Sequence, residues 1–249
     1  MSSITRIFTN ENLVLNQELE LDAATSSHIL KVLRLKVGEQ IILFNGAGGE
    51  FLSNISSATK KTASVTPIEH FDNNTSSSLN ITLCQSLAKG DRVDFAVQKS
   101  TELGIQSIQL LHSERCQFGL KGERADKKIK HWQKIAISAC EQSGRDTVPT
   151  VLMPLKLDEF FDHIESDALC IIMDTTPDSP QQLPDTIGET QKIYILVGPE
   201  GGFTQTEVDL AISKRAVGIN LGSRILRTET AGITLISILQ HKYGDFKGI

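Results

Sequence analysis

The sequence predicts an α/β protein in which a small β-rich domain of residues 1–71 precedes a larger domain of residues 79–249. Before residue 71, short apolar runs follow one another around a glycine-rich turn at 45–49, which is typical of antiparallel strands. From residue 79 on, strand patterns alternate with helix patterns, which is typical of a parallel sheet. The segment between them, residues 72–78, is small, polar and without periodicity, as in a linker.

Composition narrows the class of protein. The chain has 249 residues, a formal net charge of -5 and 39% hydrophobic residues, which are typical of a soluble globular protein. Residues 1–10 lack the plan of a signal peptide, and no apolar run reaches membrane-spanning length, so we expect a cytoplasmic protein with no membrane partner. The four cysteines form no Cys-x-x-Cys pair, so we expect reduced thiols and no metal site.

In the N-terminal domain, alternation and apolar spacing predict five strands and one helix. The predicted strands are residues 4–8, 13–15, 40–44, 50–56 and 61–68, and the predicted helix is residues 22–35. The last three strands form a meander, and the whole domain is expected to be a small barrel. Its candidate functional side chains are basic: Arg6, His28, Lys31, Arg34 and Lys36.

In the C-terminal domain, the predicted strands are residues 81–87, 105–111, 168–173, 193–197 and 217–221, and the predicted helices are 91–103, 124–142, a helix that opens at the capping box Thr204 to Glu207, and 230–243. Residues 174–184 contain three prolines and are expected to form a loop. The final helix is apolar over most of its circumference. We therefore expect it to be buried twice, once in the core and once at a subunit interface.

Two glycine turns are the candidate ligand site. The first, Gly198 to Gly202, follows the apolar run 193–197 and precedes the capping box. The second begins at Gly222, after residues 217–221, and leads into the last helix. Because ligands bind at the carboxyl ends of parallel strands, both turns are expected to present backbone amides to one small ligand.

Two groups of charged residues are further candidates for a functional site, one after Gly222 and one earlier in the chain. Arg224, Arg227 and Glu229 lie in a turn between two apolar elements, where charge is costly unless it is paired or used. A basic cluster of Lys121, Arg124, Lys127, Lys128, Lys130 and Lys134 occupies the start of a long helix. That cluster fits a solvated helix face and an RNA-facing surface equally well.

Several motifs together resemble the RsmE family, bacterial methyltransferases that act on N3 of a uridine in 16S ribosomal RNA. The resemblance spans the chain and is most specific in the two glycine-turn motifs. The matching segments are 6–8, 32–34, 98–104, 113–116, 134–136 with 141–145 and Pro149, 196–203 and 221–231.

This resemblance implies an N-terminal PUA-like RNA-binding barrel, followed by a SPOUT domain whose chain end threads a trefoil knot. It also implies a homodimer through the last helix, S-adenosyl-L-methionine as cofactor, and 16S rRNA or the small ribosomal subunit as partner. The implied cofactor-binding residues are Met173, Leu196, Val197, Gly198, Pro199, Glu200, Gly201, Gly202, Leu221, Gly222, Ile225, Leu226 and Arg227. The implied RNA-binding residues are Arg6, Arg34, Arg115 and Arg145.

The implied reaction assigns roles to three of these charges. N3 of uracil carries a proton at neutral pH, and it must lose this proton before or during methyl transfer. Arg227 is expected to stabilise charge on the uracil oxygens, with Arg224 beside it. Glu229 is expected to orient Arg227 or to accept the proton, and two neighbouring arginines favour the orienting role.

Two other classes of function fit parts of the pattern. A nucleotide-binding domain would also place glycine turns at strand ends, but the sequence lacks both the P-loop and the dinucleotide-binding glycine motifs. A non-catalytic RNA-binding or ribosome-assembly protein on the same scaffold stays open. The fold alone would not require Arg224, Arg227 and Glu229, which favours the enzyme.

Overall fold

The computed structural model describes residues 4–73, 75–117, 119–173, 182–188 and 191–246. The chain divides into two compact units, which are Met1–Ser76 with Cys140–Val148, and Ser77–Ala139 with Pro149–Ile249. The predicted domain limits and linker stay a prediction, and the segment Cys140–Val148 has no counterpart in them. Among the described helices, none combines the length and the apolar character needed to cross a bilayer.

The first unit contains a five-stranded sheet in the order β1-β3-β4-β5-β2. Its strands are β1 (Arg6–Phe8), β2 (Leu19–Glu20), β3 (Gln40–Phe44), β4 (Glu50–Ala58) and β5 (Ala63–Phe71). Strands β3, β4 and β5 pair antiparallel, as the meander predicts. Strand β1 instead pairs parallel to β3. The core of the unit consists of Ile7, Leu13, Leu21, Ile29, Ile41, Leu43, Ile55 and Val65.

Two predictions for this unit are wrong in detail. Leu13 to Leu15 is not a strand, although the Leu13 side chain enters the core, and the short strand lies at Leu19–Glu20 instead. The predicted helix of residues 22–35 is shorter. It begins as α1 (Ala23–Ser27), capped by Asp22, and continues as a π-helical turn over His28–Val32.

The segment Cys140–Val148 completes the first unit through hydrogen bonds that its carboxylates accept. The amide of Phe8 donates to Glu141 at 3.0 Å, and the amide of Gly49 donates to Asp146 at 2.6 Å. Asp146 also accepts from the hydroxyl of Thr75 at 3.0 Å. These carboxylates satisfy backbone donors that would otherwise be costly to bury, so the segment is a structural part of the unit.

The second unit is built on a parallel six-stranded sheet in the order β11-β9-β10-β6-β7-β8. Its strands are β6 (Asn80–Ser86), β7 (Ser107–His112), β8 (Thr150–Lys156), β9 (Leu169–Met173), β10 (Lys192–Val197) and β11 (Val217–Ile219). The central strand β10 lies between β9 and β6, and four of its six residues, Ile193, Ile195, Leu196 and Val197, are buried. Strand β8, which the sequence pattern missed, is an edge strand containing Pro154, a residue that weakens strand signals.

The helices of this unit agree closely with the apolar spacing. They are α2 (Arg92–Glu102), α3 (Glu123–Ser143), α4 (Leu157–Phe161), α5 (Gln205–Ser213) and α6 (Thr228–Lys242), of which only α4 was not predicted. Trp132 is buried in α3, as predicted, and its indole donates to Asp94 at 2.8 Å. The predicted loop 174–184 lies largely outside the described residues.

Helix α6 packs closely on the sheet because it carries a glycine where they meet. A Cβ at Gly232 would lie 2.9 Å from Leu83 of β6 and 3.3 Å from Val197 of β10. The helix backbone therefore packs directly on side chains of both strands, and the N-terminal Thr228 of the helix reaches Gln85 and Gly198 at the carboxyl ends of β6 and β10. That is the edge of the sheet at which the glycine turn follows β10.

Candidate active site

The turn after β10 is shaped by its own backbone. A Cβ at Gly198 would lie 2.9 Å from the amide nitrogen of Phe203, and Gly202 has a φ of 68°. Glycine is thus needed at Gly198 because the turn folds back on itself, rather than because a ligand approaches there. The turn leads into α5, where Thr204 and Glu207 form the predicted capping box.

The two turns and the start of α6 enclose a cavity of about 490 Å³. This size suits a ligand larger than a single nucleobase. The residues that line the cavity are Arg92, Met173, Val197, Gly198, Pro199, Glu200, Gly201, Gly202, Asn220, Leu221, Arg224, Ile225, Leu226, Arg227, Thr228 and Ala231. The second turn contributes an exposed apolar side chain, since Ile225 is 87% exposed.

Most of the residues predicted from the sequence thus meet in one place. Among the predicted cofactor-binding residues, Leu196 and Gly222 do not line the cavity. Leu196 is fully buried because its side chain belongs to a hydrophobic core cluster with residues such as Ile172 and Val208. Gly222 has a φ of 93°, so its part is to turn the chain.

A buried chain of hydrogen bonds ties the first turn to α6. The hydroxyl of Thr228 donates to the carbonyl of Gly198 at 2.5 Å, and it accepts from the amide group of Gln85 at 2.8 Å. Both side chains are almost fully buried. Gln85 belongs to β6 and Thr228 opens α6, so this chain sets the relative position of the three elements that surround the cavity.

The charges at the cavity form three linked ion pairs among two arginines and two glutamates. Arg92 contacts Glu200 at 2.6 Å and Glu229 at 3.7 Å, and Arg227 lies 3.9 Å from the other carboxylate oxygen of Glu229. The side chain of Arg227 is 80% exposed, whereas that of Glu229 is only 13% exposed. Glu229 therefore does lie beside two arginines, but the second is Arg92 and not Arg224, which lines the cavity.

Arg115, predicted to bind RNA, braces the first turn from outside the cavity. Its guanidinium donates to the carbonyl of Gly201 at 2.7 Å and to that of Phe203 at 3.3 Å. The neighbouring amide of Glu114 donates to Glu207 of the capping box at 2.8 Å. The loop after β7 thus supports the turn after β10.

The other arginines predicted to bind RNA belong to the first unit and differ in exposure. Arg6 forms an ion pair with Glu50, donates to the carbonyl of Arg145 at 3.0 Å, and lies over the ring of Phe44. Burial lowers the pKa of Arg6, and Arg145 is itself 4% exposed. Both side chains thus stabilise the fold in this structure, whereas Arg34 is exposed, with a φ of 57°.

Comparison with known proteins identifies the family of this chain. A family model described as an RNA methyltransferase domain matches residues 75–240, and one described as an RNA methyltransferase PUA domain matches residues 21–68. The chain belongs to the RNA methyltransferase family. The predicted family is confirmed, since the chain is similar to proteins named ribosomal RNA small subunit methyltransferase E. That of Buchnera aphidicola (subspecies Acyrthosiphon pisum) is 34% identical over 98% of this chain and 96% of its own length.

Two further relatives of this RNA methyltransferase carry the same name. The Bacillus subtilis protein is 30% identical, over 89% of each chain. The Neisseria gonorrhoeae protein, crystallised with S-adenosyl methionine, is 39% identical over 98% of this chain and 100% of its own, with a TM-score of 0.90. The α/β fold with a parallel sheet is likewise confirmed.

Sequence reasoning missed four residues that line the cavity of the methyltransferase: Arg92, Asn220, Thr228 and Ala231. Arg92 carried a usable signal, because it opens the helix after β6, the strand beside β10. Side chains that follow neighbouring parallel strands meet at one edge of the sheet. Among the described residues, no three potential metal-ligating side chains cluster.

Proposed function

We propose that this protein transfers a methyl group from S-adenosyl-L-methionine to N3 of a uridine in the 16S rRNA of the small ribosomal subunit. The main support is one cavity, walled by two glycine turns, that has Arg224 and Arg227 among its lining residues and Glu229 beside Arg227. The relatives named as small-subunit rRNA methyltransferases support the choice of substrate.

The cavity suits the cofactor in size and in chemistry. At about 490 Å³ it lies within the range of small-molecule sites. Its walls combine apolar side chains, such as Leu221 and Leu226 for the adenine ring, with the backbone of Gly198 to Gly202 for the polar parts. Bound there, S-adenosyl-L-methionine supplies its methyl group from a sulfonium, which becomes a neutral thioether as the carbon–sulfur bond breaks and the carbon–nitrogen bond forms.

The protein's own part in the reaction is to manage the charge on the acceptor. As N3 of the uracil loses its proton, to the Glu229 carboxylate or to solvent water, negative charge grows on the uracil oxygens. Arg227, which is mostly exposed on the cavity, stabilises that charge. Glu229 holds Arg227 in place through one carboxylate oxygen, at 3.9 Å.

The second oxygen of Glu229 has a different environment. Oε2 is buried and has no hydrogen-bond partner among the described residues. A buried acceptor of this kind is costly unless a ligand donates to it. Glu229 itself does not line the cavity, so we propose that substrate binding exposes Oε2, which then accepts a hydrogen bond from the N3–H of the uracil.

The RNA itself would be held by exposed cations on both units. On α3, Arg124, Lys127, Lys130 and Lys134 are exposed, and helical spacing places them on one face. In the first unit, Arg34 follows a π-helical turn, a feature that is frequent at functional sites. Phosphate contacts of this kind give affinity that falls with salt.

Other parts of the proposal concern architecture and location. The sheet of the first unit would close into a PUA-like barrel over about residues 1–71, and the chain end of the 79–249 domain would form the trefoil knot of SPOUT proteins. Ile238 is exposed and Ile233 half-buried on α6, which favours a homodimer through this helix. The cytoplasm is the compartment of the ribosomal substrate. Sedimentation at several protein concentrations tests the dimer.

The first experiment is a titration with S-adenosyl-L-methionine and, separately, with ATP and NAD. Only the methionine compound should bind. Labelled methyl transfer to small subunits and to free 16S rRNA then tests the reaction, followed by mapping of the modified base. Binding without transfer to either RNA would refute the proposed function.

The matched variants are Arg227→Ala and Arg215→Asn. Arg227→Ala should lower turnover by about 10²–10³-fold while the cofactor still binds, because the lost group acts on charge that develops during the reaction. Arg215 is an exposed arginine at the end of α5 with a φ of 68°, and asparagine tolerates that backbone. Arg215→Asn should leave turnover unchanged. If Arg227→Ala instead changes only RNA affinity, the protein is an RNA-binding module.

A further inference from the structure

Arg92 lines the cavity, but the reaction proposed above gives it no role. It is the first residue of α2, at the carboxyl end of β6, and its side chain is 37% exposed. It lines the same cavity as Gly198 and Arg227. The helix start therefore places one guanidinium between the first glycine turn and the beginning of α6.

On one side, Arg92 fixes Glu200 of the glycine turn. Its Nη1 donates to Glu200 Oε1 at 2.6 Å and to the carbonyl of Lys89 at 3.0 Å. The amide of Lys89 donates to the same oxygen of Glu200 at 3.0 Å. Glu200 is thus held by a charged side chain and by the backbone of the loop that precedes α2, so this turn is anchored to a neighbouring strand end.

On the other side, Arg92 faces Glu229 without forming a hydrogen bond. Its Nε lies 3.7 Å from Glu229 Oε2, which has no hydrogen-bond partner among the described residues. The guanidinium therefore supplies positive charge to this carboxylate and leaves the lone pairs of Oε2 available. A closer arginine would occupy them.

We propose that Arg92 is a positioning residue, which connects the cofactor-binding turn at Glu200 to Glu229, the carboxylate that orients Arg227. The proposal rests on the proposed methyl transfer. Arg92 acts through two partners, so its loss should affect cofactor binding through Glu200 and the methyl-transfer step through Glu229. Arginine suits this position because its planar fork can address two carboxylates at once, whereas the single ammonium of lysine cannot.

The binding half of the proposal is tested by calorimetric titration of S-adenosyl-L-methionine into four proteins: wild type, Arg92→Gln, Glu200→Gln and the double variant. Each single change should weaken binding by about three- to fivefold, as expected for loss of a partly exposed ion pair. The double variant should bind no more weakly than either single variant, because both remove the same interaction. Additive losses would overturn this half.

The catalytic half is tested by single-turnover methylation of small-subunit RNA at saturating cofactor. Arg92→Gln should slow the step by roughly tenfold to a hundredfold, since a displaced orienting group costs about this much. In the Glu229→Gln background the same change should cause no further loss. Arg92→Lys, which retains the charge, should recover part of the rate. A full effect of Arg92→Gln in the absence of Glu229 would overturn this half.

Lys99→Gln is the control on the same helix, because Lys99 pairs only with Glu102 among the described residues. Lys99→Gln should change neither the dissociation constant of the cofactor nor the single-turnover rate. Glu200→Gln should change only the dissociation constant. A wild-type protein that binds the cofactor but methylates no small-subunit RNA would refute the proposed function. The binding comparison would still decide whether Arg92 and Glu200 act together.

Discussion

Thr228→Val probes the buried hydrogen bonds that hold the cavity together. Valine has nearly the shape of threonine but no hydroxyl, so the substitution removes polar contacts without opening a cavity. In the native protein the Thr228 hydroxyl donates to Gly198 O at 2.5 Å and accepts from Gln85 Nε2 at 2.8 Å. The variant leaves that carbonyl and one N–H of Gln85 without this partner.

The magnitude follows from burial. Thr228 is 6% and Gln85 1% exposed, so water cannot readily replace the lost partner. An unsatisfied buried polar group costs about 1–3 kcal/mol, and Gln85 retains a bond to Ser86 O at 3.1 Å. We therefore expect the free energy of unfolding to fall by about 2–4 kcal/mol, with a drop in Tm of roughly 5–15 °C.

Denaturation followed by tryptophan fluorescence is a suitable assay. The chain has one tryptophan, and Trp132 is buried in the second unit, the unit that also contains Thr228. The control is Thr234→Val on the same helix, where the hydroxyl donates to Thr230 O at 2.9 Å near the surface. It should change stability by less than about 0.5 kcal/mol. Equal stabilities of the two variants would refute the structural role of Thr228.

Three further predictions concern pH, thiols and the turn. Hydrogen bonds from the side chains of Lys192 and Tyr194 lower the pKa of Glu165 to about 2. The contribution of Glu165 to the free energy of unfolding is therefore present above about pH 4.5 and is lost as the pH falls toward 2. In urea unfolding, Glu165→Gln should cost at most about 1 kcal/mol at pH 7 and nothing near pH 2. Cys116 should react with Ellman's reagent in the native protein well before Cys170, whose pKa burial raises to about 12, and equal rates would contradict the burial. Gly198→Ala should weaken cofactor binding and lower Tm, because its Cβ would lie 2.9 Å from Phe203 N, and unchanged values would show that the turn can relax.

The parts of the fold that depend on local pattern could be predicted from the sequence. Strand β10 is a continuous apolar run and the α5 cap is a four-residue motif, so both were found nearly residue for residue. Leu13 to Leu15 failed because an apolar run can enter a core without pairing as a strand. Strand β8 failed because Pro154 interrupts its pattern.

The candidate site was predictable only as far as its backbone. The glycine turns can be recognised in the sequence, but the position of Arg92 depends on which strand lies beside β10. The burial of Arg6 and Arg145 was not predictable for a related reason, and RNA contact by either residue stays a prediction. The partners of Arg6 include Glu50 and the carbonyl of Arg145, neither of which is close to it along the chain, and residue type alone cannot distinguish a buried arginine from an exposed one.

Because Cys140–Val148 belongs to the first unit, this unit cannot finish folding during translation until residue 148 has been made. The amides of Phe8 and Gly49 leave the ribosome early, but the carboxylates they bond belong to Glu141 and Asp146. At roughly 5–20 residues per second, the stretch from Ser76 to Val148 takes about 4–15 s to make. The N-terminal unit therefore stays incompletely folded while residues 77–139 of the second unit leave the ribosome. A nascent chain arrested before residue 140 should remain sensitive to protease throughout this unit.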